Sequence, residues 1–141
     1  MNILFLLTPK KDVVFAETDD TIRQAMEKMS FHRYTAIPIL DQAGHYVGVV
    51  SDEDLLYTVK DNKLDWNLIM KIPLSALVSQ RQVQAIGISK NVEELIPLIA
   101  KENFVPVIDD QRMFIGIVTR QAVIQYMADE LFRKNNKDSP K

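Results

Sequence analysis

Two short turns hold the residue types that could do chemistry, and they carry opposite charge. In "SDED" (51–54) the hydroxyl of Ser51 stands three residues ahead of Asp54, with Asp52 and Glu53 between them. That spacing is a capping box. The hydroxyl accepts from the third backbone N–H of a helix while the acid reaches back, and the three carboxylates suit the positive end of the helix dipole, together about 1 kcal/mol. In "TRQA" (119–122) Thr119 can still cap, but Ala122 stands where the first turn has an acid, and Arg120 brings positive charge into the first turn. Arginine is unfavourable there unless something negative lies nearby, and that turn supplies no carboxylate. A helix N-terminus beside a planar guanidinium fork is suited to phosphate oxygens. The plainer reading leaves Arg120 exposed or paired with a surface acid. A phosphate near Asp52, Glu53 and Asp54 would meet repulsion.

Other chemistries are poorly represented. There is no cysteine, so thiolate zinc sites, disulfides and cysteine nucleophiles are excluded. His32 and His45 fall in different elements, and no metal site is expected from them. No nucleophile has an adjacent base, no Gly-rich phosphate loop is present, and Asp52 and Asp54 are better explained by a helix cap than by acid–base work. Neither a catalytic residue nor a cofactor is expected.

The elements that position these turns come in two copies. The segment "TAIPILDQAGHYVGVVSDEDLL" aligns without a gap on "NFVPVIDDQRMFIGIVTRQAVI", with Pro38 on Pro106, Asp41 on Asp109, Gly48 on Gly116 and Ser51 on Thr119. Each copy has two β-rich runs about a polar turn, which predicts a hairpin running into a helix. Upstream, Ile22, Ala25, Met26 and Met29 mark one helix face, and Val92, Leu95, Ile96 and Ile99 mark another that Pro97 should bend or shorten. The short stretches "DVVFAE" and "QVQAIGI" precede these helices as strands. Each half therefore reads strand, helix, strand, strand, helix, an α+β fold of two β-α-β-β-α repeats packed about a pseudo-two-fold. The boundaries are 8–62 for the first repeat, 63–74 for a connector too apolar for a free linker, 75–130 for the second repeat, and 131–141 for a polar, disordered tail.

At 141 residues with 47% hydrophobic content the chain can bury a core, and a net charge of −2 on 26% charged residues argues against a nucleic-acid partner. The opening "MNILFLL" is too short, and lacks the basic lead, for a leader or a membrane span. Cytoplasm is the expected location.

The paired strands "AIPILD" and "FVPVID", with two strand-to-helix turns at fixed spacing, resemble a tandem CBS domain pair, or Bateman module, over about residues 10–127. "YTAIP" and "GIVTR" are most similar to the stand-alone CBS proteins of Gram-positive bacteria that bind cyclic di-AMP. The resemblance implies a non-enzymatic adenine-nucleotide sensor that regulates an unidentified partner protein, with cyclic di-AMP, or AMP or ATP, between the repeats. A structural adaptor with vestigial clefts is the alternative. It implies a first cleft at Tyr34, Thr35, Ala36, Ile37, Thr119 and Arg120, with added charge from Lys10 and Lys11, an ordinary solvated pair on the plainer reading. A second cleft is implied at Ser51, Asp54, Phe104 and Val105, where Ser51 and Asp54 would hold a ribose diol as well as cap. It also implies a homodimer joined by helix faces, here those of Ile22, Met26, Met29, Leu95 and Leu98.

Overall fold

Each hairpin closes as the alignment predicts, and the two match down to their irregularities. In the computed structural model, which describes residues 1–63, 65–77 and 83–138, β3 (Ala36–Leu40) runs antiparallel to β4 (Tyr46–Ser51), and β6 (Phe104–Ile108) runs antiparallel to β7 (Phe114–Thr119). Pro38 pairs with Val49 and Pro106 with Ile117, and both ladders slip one residue from the end, at Ile39/Leu40 and at Val107/Ile108. The repeated aspartates close the turns. One Asp41 carboxylate oxygen accepts from the N–H groups of Ala43 and His45, and Asp109 does the same for Gln111 and Met113. An Asx turn of this kind is a reason for aspartate in the motif that needs no ligand.

Short parallel strands complete the sheets. β2 (Ala16–Glu17) pairs with β3 only from Ile39 onward, and β5 (Ile86–Gly87) pairs with β6 only from Val107 onward. Each proline therefore occupies a stretch of its strand that has a neighbour on one side alone, where a missing N–H is tolerated. The same shortness leaves the first residues of β3 and β6 with an open edge. The stretches read as strands from "DVVFAE" and "QVQAIGI" are cut to these two-residue ladders, and Gln82 lies outside the described residues.

The helices follow their caps. α1 (Ile22–His32) starts on a Thr21/Gln24 capping box, and α2 (Asp52–Asp61) on the Ser51/Asp54 box. α3 (Trp66–Ile69) lies in the connector, where Ile69 is buried in the first core while Trp66 is half exposed. Pro97 acts as expected: a 3-10 turn, Val92–Leu95, precedes α4 (Ile96–Ile99), a single turn with the proline at its start. α5 (Arg120–Asp138) is longer than its repeat requires. The tail expected to be free chain from 131 is helical through Asp138, because Gln125 with Asp129 and Glu130 with Arg133 pair along its surface at helical spacing. Residues 139–141 lie outside the described residues.

The opening apolar run belongs to the second repeat. Ile3 is fully buried against Val92 and Leu95, its N–H donates to the Lys90 carbonyl, and β1 (Thr8–Pro9) adds to the free edge of β7. That gives a four-stranded sheet in the order β1-β7-β6-β5 and a three-stranded sheet in the order β2-β3-β4. Gly116 makes the docking possible. Its φ is +154°, and a Cβ there would lie 2.2 Å from the Thr8 carbonyl oxygen. A third apolar cluster, built on Leu40, Tyr46, Val49, Val83 and Phe114, packs the two repeats together.

The expected dimer faces are corrected by this packing. Ile22 and Met29 are buried in the first core and Leu95 in the second, with Met26 and Leu98 packed against them. Apolar helical spacing marks the inward face first. Large exposed apolar side chains stand elsewhere, among them Phe5, Phe31, Leu56, Tyr57, Trp66, Ile96, Ile124, Met127, Leu131 and Phe132.

Candidate functional site

The open edge of β3 forms one wall of a cleft of about 310 Å³ between the repeats. Tyr34, Thr35, Ala36, Ile37 and Pro38 line it from the first repeat, and Asn103, Phe104, Ile117 and Thr119 from the second. The chain leading into the first repeat closes it with Thr8, Asp12, Val13 and Val14. A second cleft, about 220 Å³, lies across Thr35, Ala36, Asn103 and Phe104, which line both. Its other walls are Val49, Ser51, Asp52, Glu53, Lys101 and Glu102. The clefts are alike in construction and opposite in character. The first is mostly apolar with Asp12 as the one charged residue among the described residues lining it; the second carries three carboxylates and one ammonium.

The residue just before each proline-bearing strand is tied to the helix of its own repeat. The Asp52 N–H donates to the Thr35 carbonyl at 2.9 Å, and the Arg120 N–H donates to the Asn103 carbonyl at 2.8 Å. These matched bonds use the first free N–H of α2 and of α5.

Of the residues expected in the first cleft, Tyr34, Thr35, Ala36, Ile37 and Thr119 come together around it. Thr119 also caps α5, its hydroxyl oxygen accepting from the Ala122 N–H at 3.1 Å. Lys10, Lys11 and Arg120 are not among the lining residues. Lys10 holds its ammonium 5.4 Å from the centroid of the Phe15 ring, and Lys11 is exposed on the same 3-10 turn. The Nε of Arg120 donates to the Ile99 carbonyl at 2.8 Å.

In the second cleft, Ser51 and Phe104 are lining residues, whereas Val105 is wholly buried behind it. Asp54 is buried too. Its Oδ2 accepts from the Ser51 N–H at 2.8 Å and from the Ser51 hydroxyl at 3.0 Å, while the Ser51 oxygen accepts from the Asp54 N–H. This completes the capping box and makes it the observed work of Asp54. Thr8 and Asp12 were missed by sequence reasoning, because they precede the repeated segment and no alignment of the two copies reaches them.

The fold, with its two hairpins, two clefts and shared wall, agrees with an independent match: the CBS domain profile covers residues 6–61 and 75–129. The chain belongs to the CBS domain family. As a tandem CBS pair it is 26% identical over 145 residues to an uncharacterised protein of Methanocaldococcus jannaschii, spanning 82% of this chain and 86% of that one. It is 23% identical over 117 residues to inosine-5'-monophosphate dehydrogenase of the same organism, of whose length it spans only 22%. Among solved structures, CbpB in complex with c-di-AMP superposes with a TM-score of 0.86 at 20% identity, over 97% of this chain and 91% of that chain. CBSX2 in complex with AMP superposes with a TM-score of 0.76 at 24% identity, over 91% and 96%. At these identities the likeness is one of fold. Among the described residues, no helix is long and apolar enough to cross a membrane.

Proposed function

We propose that this CBS pair is a non-enzymatic adenine-nucleotide sensor, that cyclic di-AMP binds in the first cleft, and that the occupied form regulates a partner protein in the cytoplasm. The observation that carries this reading is the open edge of β3. It sets Thr35, which carries a hydroxyl, and Tyr34, which carries a ring, among the residues lining an apolar slot between two repeats. An apolar slot with a few polar groups suits a purine. Arg120 follows Thr119, which lines the slot, and with Nε on the Ile99 carbonyl its two terminal nitrogens serve phosphate oxygens. Lys10 and Lys11 adjoin Asp12 and offset its charge. The solved CbpB complex with c-di-AMP supports the choice of ligand.

A mononucleotide in the second cleft is the other reading, favoured by the hydroxyl of Ser51 on its wall and by the solved CBSX2 complex with AMP. Its phosphate would have to point away from Asp52, Glu53 and Glu102. The protein works as a homodimer, joined through the exposed apolar side chains of α2 and α5. A thermal-shift panel of AMP, ATP, NAD and cyclic di-AMP tests the assignment. A ligand at 100 times its dissociation constant should raise stability by about 2.7 kcal/mol. If none of the four raises the melting temperature, the sensor reading is lost and the adaptor reading takes its place.

A further inference from the structure

α1 ends in a left-handed residue, Arg33, at φ 58° and ψ 38°. The N–H groups of Arg33 and Tyr34 both donate back to the Met29 carbonyl, the latter at 2.9 Å, so the chain reverses sharply into β3. The reversal brings two rings that flank Arg33 onto one side. His32 and Tyr34 lie 5.3 Å apart between centroids with their planes within 10°, and Phe31 meets His32 edge-on at 4.9 Å. Tyr34 is a lining residue of the first cleft, yet it is 48% exposed. Among the described residues no hydrogen bond fixes its hydroxyl, so the ring contacts are what hold it.

We infer that His32 is a positioning residue for the ligand of the first cleft: stacked on one face of Tyr34, it fixes the ring so that the other face is offered to a purine base. The inference rests on the reading of that cleft as an adenine-nucleotide site, and it assigns His32 no contact with the ligand. The physical reason is pre-organisation. A tyrosine stacked on one side has lost its rotameric freedom before the ligand arrives, and a base that stacks on the remaining face gains the contact without that ordering cost.

The test titrates cyclic di-AMP and AMP separately into the full chain carrying His32→Ala, His32→Phe or neither. His32→Ala should weaken cyclic di-AMP about fivefold, because the ring supports the base stacked in the first cleft, and leave AMP bound in the second cleft within about twofold; His32→Phe should restore wild-type affinity for cyclic di-AMP to within about twofold. The Tyr34 ring protons, followed by NMR, should lose the ring-current shift of His32 in the alanine variant and keep one in the phenylalanine variant. Equal affinity of wild type and His32→Ala for cyclic di-AMP overturns the inference while the sensor reading stands. So does a His32→Phe variant as weak as His32→Ala, since stacking would then not be the cause. If the wild-type chain binds neither nucleotide, the sensor reading fails and this inference falls with it.

Discussion

The Nε of Arg120 donates to the carbonyl of Ile99 at 2.8 Å, joining the first residue of α5 to the last residue of α4. The sequence offers no carboxylate to offset a positive charge at that helix start, and the tertiary structure supplies the negative end of a different helical turn instead. Ile99 is the last residue of α4, and a carbonyl in that last turn has no N–H four residues on to accept from.

Arg120 should therefore matter to both the fold and the ligand, and the two effects separate by substitution. Arg120→Ala should lower stability by about 1 kcal/mol and weaken cyclic di-AMP binding by about tenfold or more, as a charge-assisted contact is lost. Arg120→Glu should abolish that binding. Asp54→Ala, which removes the acceptor of the Ser51 N–H and hydroxyl, should cost about 1–2 kcal/mol of stability and leave cyclic di-AMP affinity within about twofold. Calorimetric titration beside urea denaturation checks the ranking. Equal affinity losses in Arg120→Ala and Asp54→Ala would mean that the clefts are assigned to the wrong ligands.

Gly116→Ala should release the opening strand. The new Cβ would fall within 2.2 Å of the Thr8 carbonyl oxygen at a φ that disfavours any side chain, so β1 must leave the edge of β7. Ile3 leaves the second core with it, and the loss should reach about 2–4 kcal/mol. Hydrogen exchange reads this directly, because the Ile3 N–H bonded to the Lys90 carbonyl should lose its protection. Since Thr8 lines the first cleft, ligand affinity should fall in the same variant.

The proposed homodimer should depend on the outer face of α5. Leu131 and Phe132 are 62% and 68% exposed, which leaves them available to a second copy without disturbing either core. Leu131→Glu with Phe132→Glu should give a folded monomer in light scattering and leave the melting curve of the monomer cooperative. Ile22→Glu, by contrast, should unfold the chain, since Ile22 is buried in the first core. A doubly substituted protein that is still dimeric would move the interface to another face.

Asp41 should titrate below the ordinary carboxylate range. The N–H of His45 donates to its carboxylate, as do the His45 side chain and the Ala43 N–H, and these favour the charged form. A depressed folded pKa contributes stability that is complete above the unfolded value and is lost as pH falls through the folded one. Asp41→Asn should flatten that acidic limb, and NMR titration of the side-chain carbonyl carbon checks the direction. A wild-type Asp41 titrating at the ordinary value would remove this explanation of the turn.

Much of this protein was already legible along the chain, because the relevant interactions are local or repeated. Capping boxes span three residues, Asx turns span four, and the register of a hairpin follows from its own alternation, so two copies in step determine two matched hairpins and the caps that follow them. Pro97 shortens its helix by a rule that needs no neighbours. What only the tertiary structure decided involves pairs far apart in sequence. Ile3 finds its partners at Val92 and Leu95, Thr8 pairs with Ile117, and Arg120 finds a carbonyl at Ile99 in place of a nearby acid. Periodicity marked Ile22, Met29 and Leu95 as apolar faces. Whether such a face meets the chain's own core or a second chain depends on what packs over it, and here the first lies under the connector residue Ile69 and the second under the opening residue Ile3. The two clefts are where both kinds of information meet. Sequence determined which strands begin beside a proline, and folding determined that the short parallel strands stop one residue beyond it and leave the edge open.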